Sequence, residues 1–498
     1  MKTKHWQDNC MTAFRRKQND MSGRAFLTAF SVFLFSVTSL AGQQGYAINL
    51  KITGAPESKI RLAYHLGNDQ YIKDSTVTDL SGRCAFKGTT PLPAGVYMIV
   101  YPGNTFFEFL ADKDQYFDIE CSASDKNSLP VFRGSDENTR FIEYQKTWKT
   151  MQDEIILMNS DLKGLNPGST EAAALRTKIA AQEKKMKVYL NEVYSQNRGM
   201  LLGAIARSLI PVENPAPDIP AGIAKRDSLI RLYSYLSYKR TFFDNIDFSE
   251  QGLIRSPIIA ARLDQFFRQV VVQMPDSINK EADRILEKSK ADKDMYQYVA
   301  VWLFNKYAVS EIMGHDAVVV HLADKIYLSG EAPWAGEEYI KDLAKKVERL
   351  RPNLIGKQAP DLVMDSYAGR YVALYDVRAE FTILYFWEPD CGHCKEATPV
   401  LKEYYDENKE NGIEVFAVCT QSDKAKWEQY IREHKLNWIN GWDPSRVTRF
   451  DILYNVDFTP IVYILDRNKK IIAKRLPVEK IGPFIESYRK YMAQSPGR

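Results

Sequence analysis

One stretch limits the possible folds more than any other. Phe381 to Trp387 is a near-continuous apolar run, the pattern of a strand buried on both faces. A helical pattern begins at Lys395, and Cys391 and Cys394 stand three apart at the junction between the two. A helix start offers free N–H groups and a partial positive charge, and both stabilise a thiolate. The first cysteine of such a pair is the exposed one, so Cys391 is the expected nucleophile. Cys394, one turn in, is expected to attack the mixed disulfide and release the substrate. His393 between them favours the charged form of a neighbouring thiol and stabilises the reduced pair. A zinc site needs two further ligands, and no second cysteine pair lies nearby. No metal and no cofactor are expected. A purely structural disulfide gains little from closing so small a loop.

Around this junction strands and helices alternate. Residues 371–374, 381–387, 413–419, 461–465 and 471–473 read as strands, and 395–410, 424–434 and 481–492 as helices. Strand–helix–strand alternation followed by a hairpin implies a mixed sheet covered by helices. Upstream the pattern differs. From Tyr46 to Asp136 short runs alternate with turn signals: Ile48, Leu50 and Ile52; Tyr97, Ile99 and Tyr101; Phe117, Ile119 and Cys121. Many short strands suggest a small sandwich or barrel. From Asn138 to Leu350 the period becomes helical, with an exposed loop expected where Pro211, Pro215, Pro217 and Pro220 cluster. Pro352-Asn353-Leu354 reads as the last linker. The expected fold class is multidomain: a small all-β sandwich at 42–137, an all-α domain at 138–350 and an α/β domain at 351–498.

The formal charge of +4 is carried entirely by the first 41 residues, where six basic side chains outnumber two acidic ones. The neutral remainder gives no support to nucleic-acid binding. Arg24, the apolar run from Ala25 to Leu40 and the small residues at Ser39-Leu40-Ala41 read as an export signal cleaved near Ala41. Met21 makes a better start for that signal than Met1. The run is too short and too rich in Ser and Thr for a comfortable membrane span, so none is expected in the mature chain. Of the six cysteines only Cys10 precedes the cleavage point. The five that follow are too few for a disulfide scaffold and suit one working pair plus incidental thiols. Among these, Cys84 and Cys121 are candidates for pairing, and Cys419 ends the strand beside the active-site strand.

The stretch from Phe386 to Lys395, Phe-Trp-Glu-Pro-Asp-Cys-Gly-His-Cys-Lys, resembles the thioredoxin active site. Pro399 matches the proline that kinks that family's active-site helix, and Thr459-Pro460 resembles its cis-proline loop. Ala359-Pro360-Asp361 is similar to the exported branch of the family, the peroxiredoxin-like and cytochrome-maturation oxidoreductases. The resemblance implies a thioredoxin-like fold for 351–498 and substrate contacts at Trp387, His393, Thr459 and Pro460. Two departures matter. Tyr385 stands where the family carries a buried proton-relaying aspartate, and Glu388 is the nearest candidate replacement. A peroxidatic cysteine needs Thr or Ser three residues before it, and Glu388 occupies that place, which removes a peroxidase.

The expected activity is thiol–disulfide exchange with protein substrates in the periplasm, with a membrane-linked or periplasmic redox partner. The catalytic residues are Cys391, Cys394 and Glu388, and Cys391 and Cys394 form the redox disulfide. The alternative is a partner-binding or assembly protein whose redox pair is secondary.

Overall fold

The computed structural model describes residues 45–494 except 104, 126 and 127. The export signal expected at 1–41 lies outside the described residues. No described helix is long and apolar enough to cross a membrane. The chain divides into two compact units, one of residues 45–273 and 281–299, the other of residues 274–280 and 300–494.

The first unit opens with eight strands: β1 Tyr46–Thr53, β2 Lys59–Leu66, β3 Asp69–Val77, β4 Arg83–Gly88, β5 Gly95–Tyr101, β6 Thr105–Ala111, β7 Tyr116–Ser122 and β8 Val131–Arg133. They form two four-stranded sheets, ordered β4-β1-β7-β8 and β3-β2-β5-β6. Ile48, Leu50, Ile52, Phe86 and Ile119 of the first sheet pack with Ile60, Leu62, Ile99 and Phe109 of the second. One core between two open sheets makes this a sandwich rather than a barrel. The period-two burial of β1 is what the alternation in its sequence demands.

A helical hairpin follows, α1 Asp136–Lys163 and α2 Thr170–Gln196. Ser135 and Ser169 cap the two helices by accepting from the N–H groups of Asn138 and Ala172, so the first-turn donors are satisfied. Residues 211–220 run without regular structure, as the proline cluster requires. Further on, Met295, Val299 and Leu303 are fully buried on the helix Lys293–Ala308, and Trp302 is half-buried.

The second unit carries α3 Glu337–Leu350 and a seven-stranded sheet with β9 Val363–Ser366, β10 Tyr371–Ala373, β11 Phe381–Trp387, β12 Ile413–Cys419, β13 Ile439–Trp442, β14 Ile461–Leu465 and β15 Ile471–Lys474. The order is β10-β9-β13-β12-β11-β14-β15. β11 lies between parallel β12 and antiparallel β14. All seven of its residues are buried. Phe381, Ile383, Tyr385 and Trp387 pack with α4 Gly392–Asn408, α5 Lys424–His434 and α6 Ile481–Gln494. Leu384 and Phe386 face the opposite core, with Phe450 and Tyr454. The continuous apolar run of β11 thus reflects two covered faces.

Pro352-Asn353-Leu354 is not a loose linker. Arg351–Asn353 is a tight turn, and Asn353 is fully buried, donating to Arg349 O and Leu453 O. Lys474 of edge strand β15 buries its ammonium against the Asp316 carboxylate and the Asn353 carbonyl groups. Arg349 of α3 donates to Asn455 and to Asp451 O. Residues 313–353 are thereby fastened to the sheet edge by polar bonds that no periodicity announces.

Candidate active site

The backbone turns from β11 into α4 through Glu388, Pro389 and Asp390, and Cys391 takes the N-cap position of the helix. Its Sγ accepts from the Cys394 N–H at 3.2 Å, where a Ser or Asp oxygen sits in an ordinary cap. A sulfur at this point satisfies a free helix donor and feels the positive end of the helix dipole. Cys391 is half-buried, and Cys394, one turn on, is 1% exposed. Burial, and then the hydrogen bond with Cys391, push the Cys394 thiol up to about 12.

Thr459-Pro460 is a cis peptide bond. The Thr459 carbonyl lies 3.4 Å from Cys391 Sγ and accepts from the protonated thiol. Glu388 lies at the mouth of the same loop. Its carboxylate accepts from the hydroxyls of Thr420 at 3.2 Å and Thr459 at 3.3 Å. Among the described residues no hydrogen bond joins that carboxylate to Cys394.

The position of the family's aspartate is filled by a hydroxyl pair. Tyr385 OH and Thr398 Oγ1 are 3.0 Å apart, both fully buried. Thr398 is four residues after Cys394, on the same face of α4. Burial drives the Tyr385 phenol far above its ordinary value, so it stays protonated.

Trp387 departs from the expectation. It is 0% exposed, its ring parallel to Tyr385 and tilted against Tyr430. It shares the inward face of β11 with Phe381, Ile383 and Tyr385, so it packs beneath the site and is not available to substrate. His393 is the opposite case: its side chain is 86% exposed, with Glu396 Oε2 3.9 Å from Nδ1. It stands at the rim of a groove of about 320 Å³ that also involves Phe458, Pro460, Arg475 and Leu476. Sequence reasoning missed Phe458 and Arg475, whose guanidinium lies 5.1 Å over the phenyl ring. The available signal was an aromatic residue directly before Thr459-Pro460.

The remaining thiols are placed differently. Cys419 ends β12 opposite Trp387 and is buried, which pushes its thiol up to about 12. Cys84 and Cys121 sit on β4 and β7, with β1 between them. Two strand spacings put their Cα atoms about 10 Å apart or more, beyond the roughly 7 Å that a disulfide spans. The pairing considered for them is excluded in this sheet. All five described cysteines are free thiols.

Residues 355–474 match the AhpC/TSA family, and residues 46–141 match a domain of unknown function, DUF4369. A thiol-disulfide oxidoreductase ResA of Bacillus cereus is 26% identical over 120 residues, 24% of this chain and 68% of that protein. A solved domain of a possible thiol-disulfide isomerase from Cytophaga hutchinsonii is 41% identical, covering 28% of this chain and 97% of that one, with a TM-score of 0.27. A solved thioredoxin-like protein from Bacteroides caccae is 18% identical, covering 56% of this chain and 100% of that one, with a TM-score of 0.42. The chain is an oxidoreductase whose C-terminal domain is thioredoxin-like.

Proposed function

We propose that this oxidoreductase exchanges disulfides with protein substrates in the periplasm, through Cys391 and Cys394. The observation that carries the proposal is the capping sulfur: Cys391 Sγ holds the Cys394 N–H at 3.2 Å while facing the Thr459 carbonyl. In the reducing direction the Cys391 thiol gives up its proton, and the thiolate attacks a substrate disulfide, forms a mixed disulfide and expels one substrate thiolate. Cys394 then loses its proton and attacks Cys391 Sγ. The Cys391–Cys394 bond forms, the second substrate thiolate leaves, and two electrons have passed to the substrate. The protons from the enzyme's two thiols end on the two substrate thiolates. Running the same steps backward oxidises a substrate dithiol. A membrane-linked or periplasmic redox partner resets the pair.

Substrate backbone lies along Thr459 and Pro460 as an added strand, with His393 at the rim. Glu388 acts as a positioning residue, because its two threonine bonds hold the Thr459 loop against Cys391. The proposal includes an export signal at 1–41 and domain boundaries after residues 137 and 350.

Replacing Cys394 with Ser tests the reading. The resolving step is then lost, and protein substrates accumulate on Cys391 as mixed disulfides, released by a reductant and absent when Cys391 is also replaced. Periplasmic extracts with no trapped species contradict the proposal.

A further inference from the structure

A cavity of about 980 Å³ lies at the other end of the sheet, lined among others by Arg378, Glu380, Gly412, Arg467 and Lys469. These residues precede β11 and β12 or belong to the β14–β15 turn. The seven residues of β11 separate them from the thiol pair, about 20 Å of extended chain. The cavity is therefore distinct from the redox site.

Lys469 is its unusual member. It adopts a left-handed φ of 61° in the turn, a conformation uncommon for lysine, and only 4% of it is exposed. Its ammonium donates to Val377 O at 2.8 Å and Thr382 Oγ1 at 2.9 Å, both neutral oxygens. No carboxylate pairs with it among the described residues. Burial, and then the Arg378 charge, depress its pKa, partly opposed by the Asp466 charge. Arg378 and Arg467 are exposed beside it, and no ion pair engages either among the described residues. The nearby carboxylates are committed elsewhere. Glu380 takes the Arg489 guanidinium on both oxygens, at 2.6 and 3.3 Å. Asp466 accepts from the Asn468 and Lys470 N–H groups at 2.9 and 2.8 Å. Three cations thus meet in one cavity where Glu380 is paired with Arg489 and Asp466 acts on Lys469 only through space, and burying an ammonium with no carboxylate in direct contact is costly.

We propose that this cavity binds an oxyanion of the phosphate class, free in solution or carried on a lipid headgroup. Guanidinium forks match phosphate oxygens in pairs, and Lys469 supplies the buried point charge beneath them. The volume is near the upper end of small-molecule sites, so the ligand is larger than bare phosphate.

Titrating the full chain with inorganic phosphate by calorimetry, and floating it with vesicles of phosphatidylglycerol or of phosphatidylcholine alone, tests the site. Saturable phosphate binding, or flotation on phosphatidylglycerol only, is the expected result, and the arm that responds identifies the source. Replacing both Arg378 and Arg467 with Ala, two exposed positions, weakens that binding by about tenfold or more. Lys469→Met, with its fold checked by circular dichroism, does the same. No binding in either arm, or binding unchanged in the double arginine variant, overturns the proposal.

Discussion

The two regions of this chain each hold a pair of cysteines, and the backbone sets the two pairs very differently. In the sandwich, Cys84 and Cys121 flank β1 in one sheet, and burial pushes their thiols up to about 11 and about 12. In the C-terminal unit, Cys391 caps a helix and Cys394 lies one turn inside it. A strand between two cysteines separates them by a fixed distance that no rotamer closes. A helix start brings them onto one turn and supplies N–H donors to the leading sulfur. Redox competence therefore comes from the backbone around a thiol pair and not from the number of cysteines.

Removing thiols region by region should give the largest difference between the two regions. Cys391→Ser should lower the rate of disulfide exchange by at least about a thousandfold, because the nucleophile itself is gone. Cys84→Ala together with Cys121→Ala should leave the rate unchanged. A steady-state assay on a disulfide-bonded protein substrate reads both, and a large loss in the sandwich variant would undo the contrast.

A smaller effect is expected at Glu388. Glu388→Ala frees the Thr459 loop and should slow exchange by about tenfold, less than the roughly hundredfold that a 1 Å misplacement of a reacting group can cost. Glu388→Gln keeps hydrogen-bonding capacity toward the two threonines and should restore the rate to within about threefold. If Gln is as slow as Ala and the pH profile shifts, the carboxylate accepts protons instead of positioning the loop.

The smallest effect compares one buried tyrosine in each region. Tyr97 OH donates to Pro93 O at 3.0 Å in the sandwich, and Tyr385 OH pairs with Thr398 beneath Cys394. Changing either to Phe should cost about 1 kcal/mol in denaturant unfolding. Only Tyr385→Phe should also alter the exchange rate. Equal rates in the two variants would assign the Tyr385–Thr398 pair a purely structural role.

Much of this architecture is legible in the sequence because burial on two faces leaves a plain record. The run at β11, the alternation in β1 and the helix at 424–434 need only local pattern. The short strands β9 and β13 were not legible. Val-Met-Asp-Ser and Ile-Asn-Gly-Trp have no alternation of their own, and become strands by pairing with each other and with β12. The helix starts at Gly392 instead of Lys395 because Cys391 supplies the cap. At the site, the strand–helix junction placed both cysteines, and the resemblance to the thioredoxin family placed the Thr459-Pro460 loop. It did not place Trp387, although strand parity already put that residue on the inward face. The groove at Phe458 and Arg475, and the buried Lys474 and Lys469, depend on segments distant in sequence that meet only after folding.

The central claim is that attack is favoured at Cys391: Cys391 and Cys84 are both half-buried, but among the described thiols only Cys391 caps a helix. Treating the reduced full chain briefly with limiting iodoacetamide at neutral pH, and locating the label by peptide mass spectrometry, tests it directly. Carbamidomethyl is expected first and predominantly on Cys391, more slowly on half-buried Cys84, and on Cys121, Cys394 and Cys419 only after denaturation. Label arriving first on Cys394, or equally on Cys391 and a sandwich thiol, would contradict it.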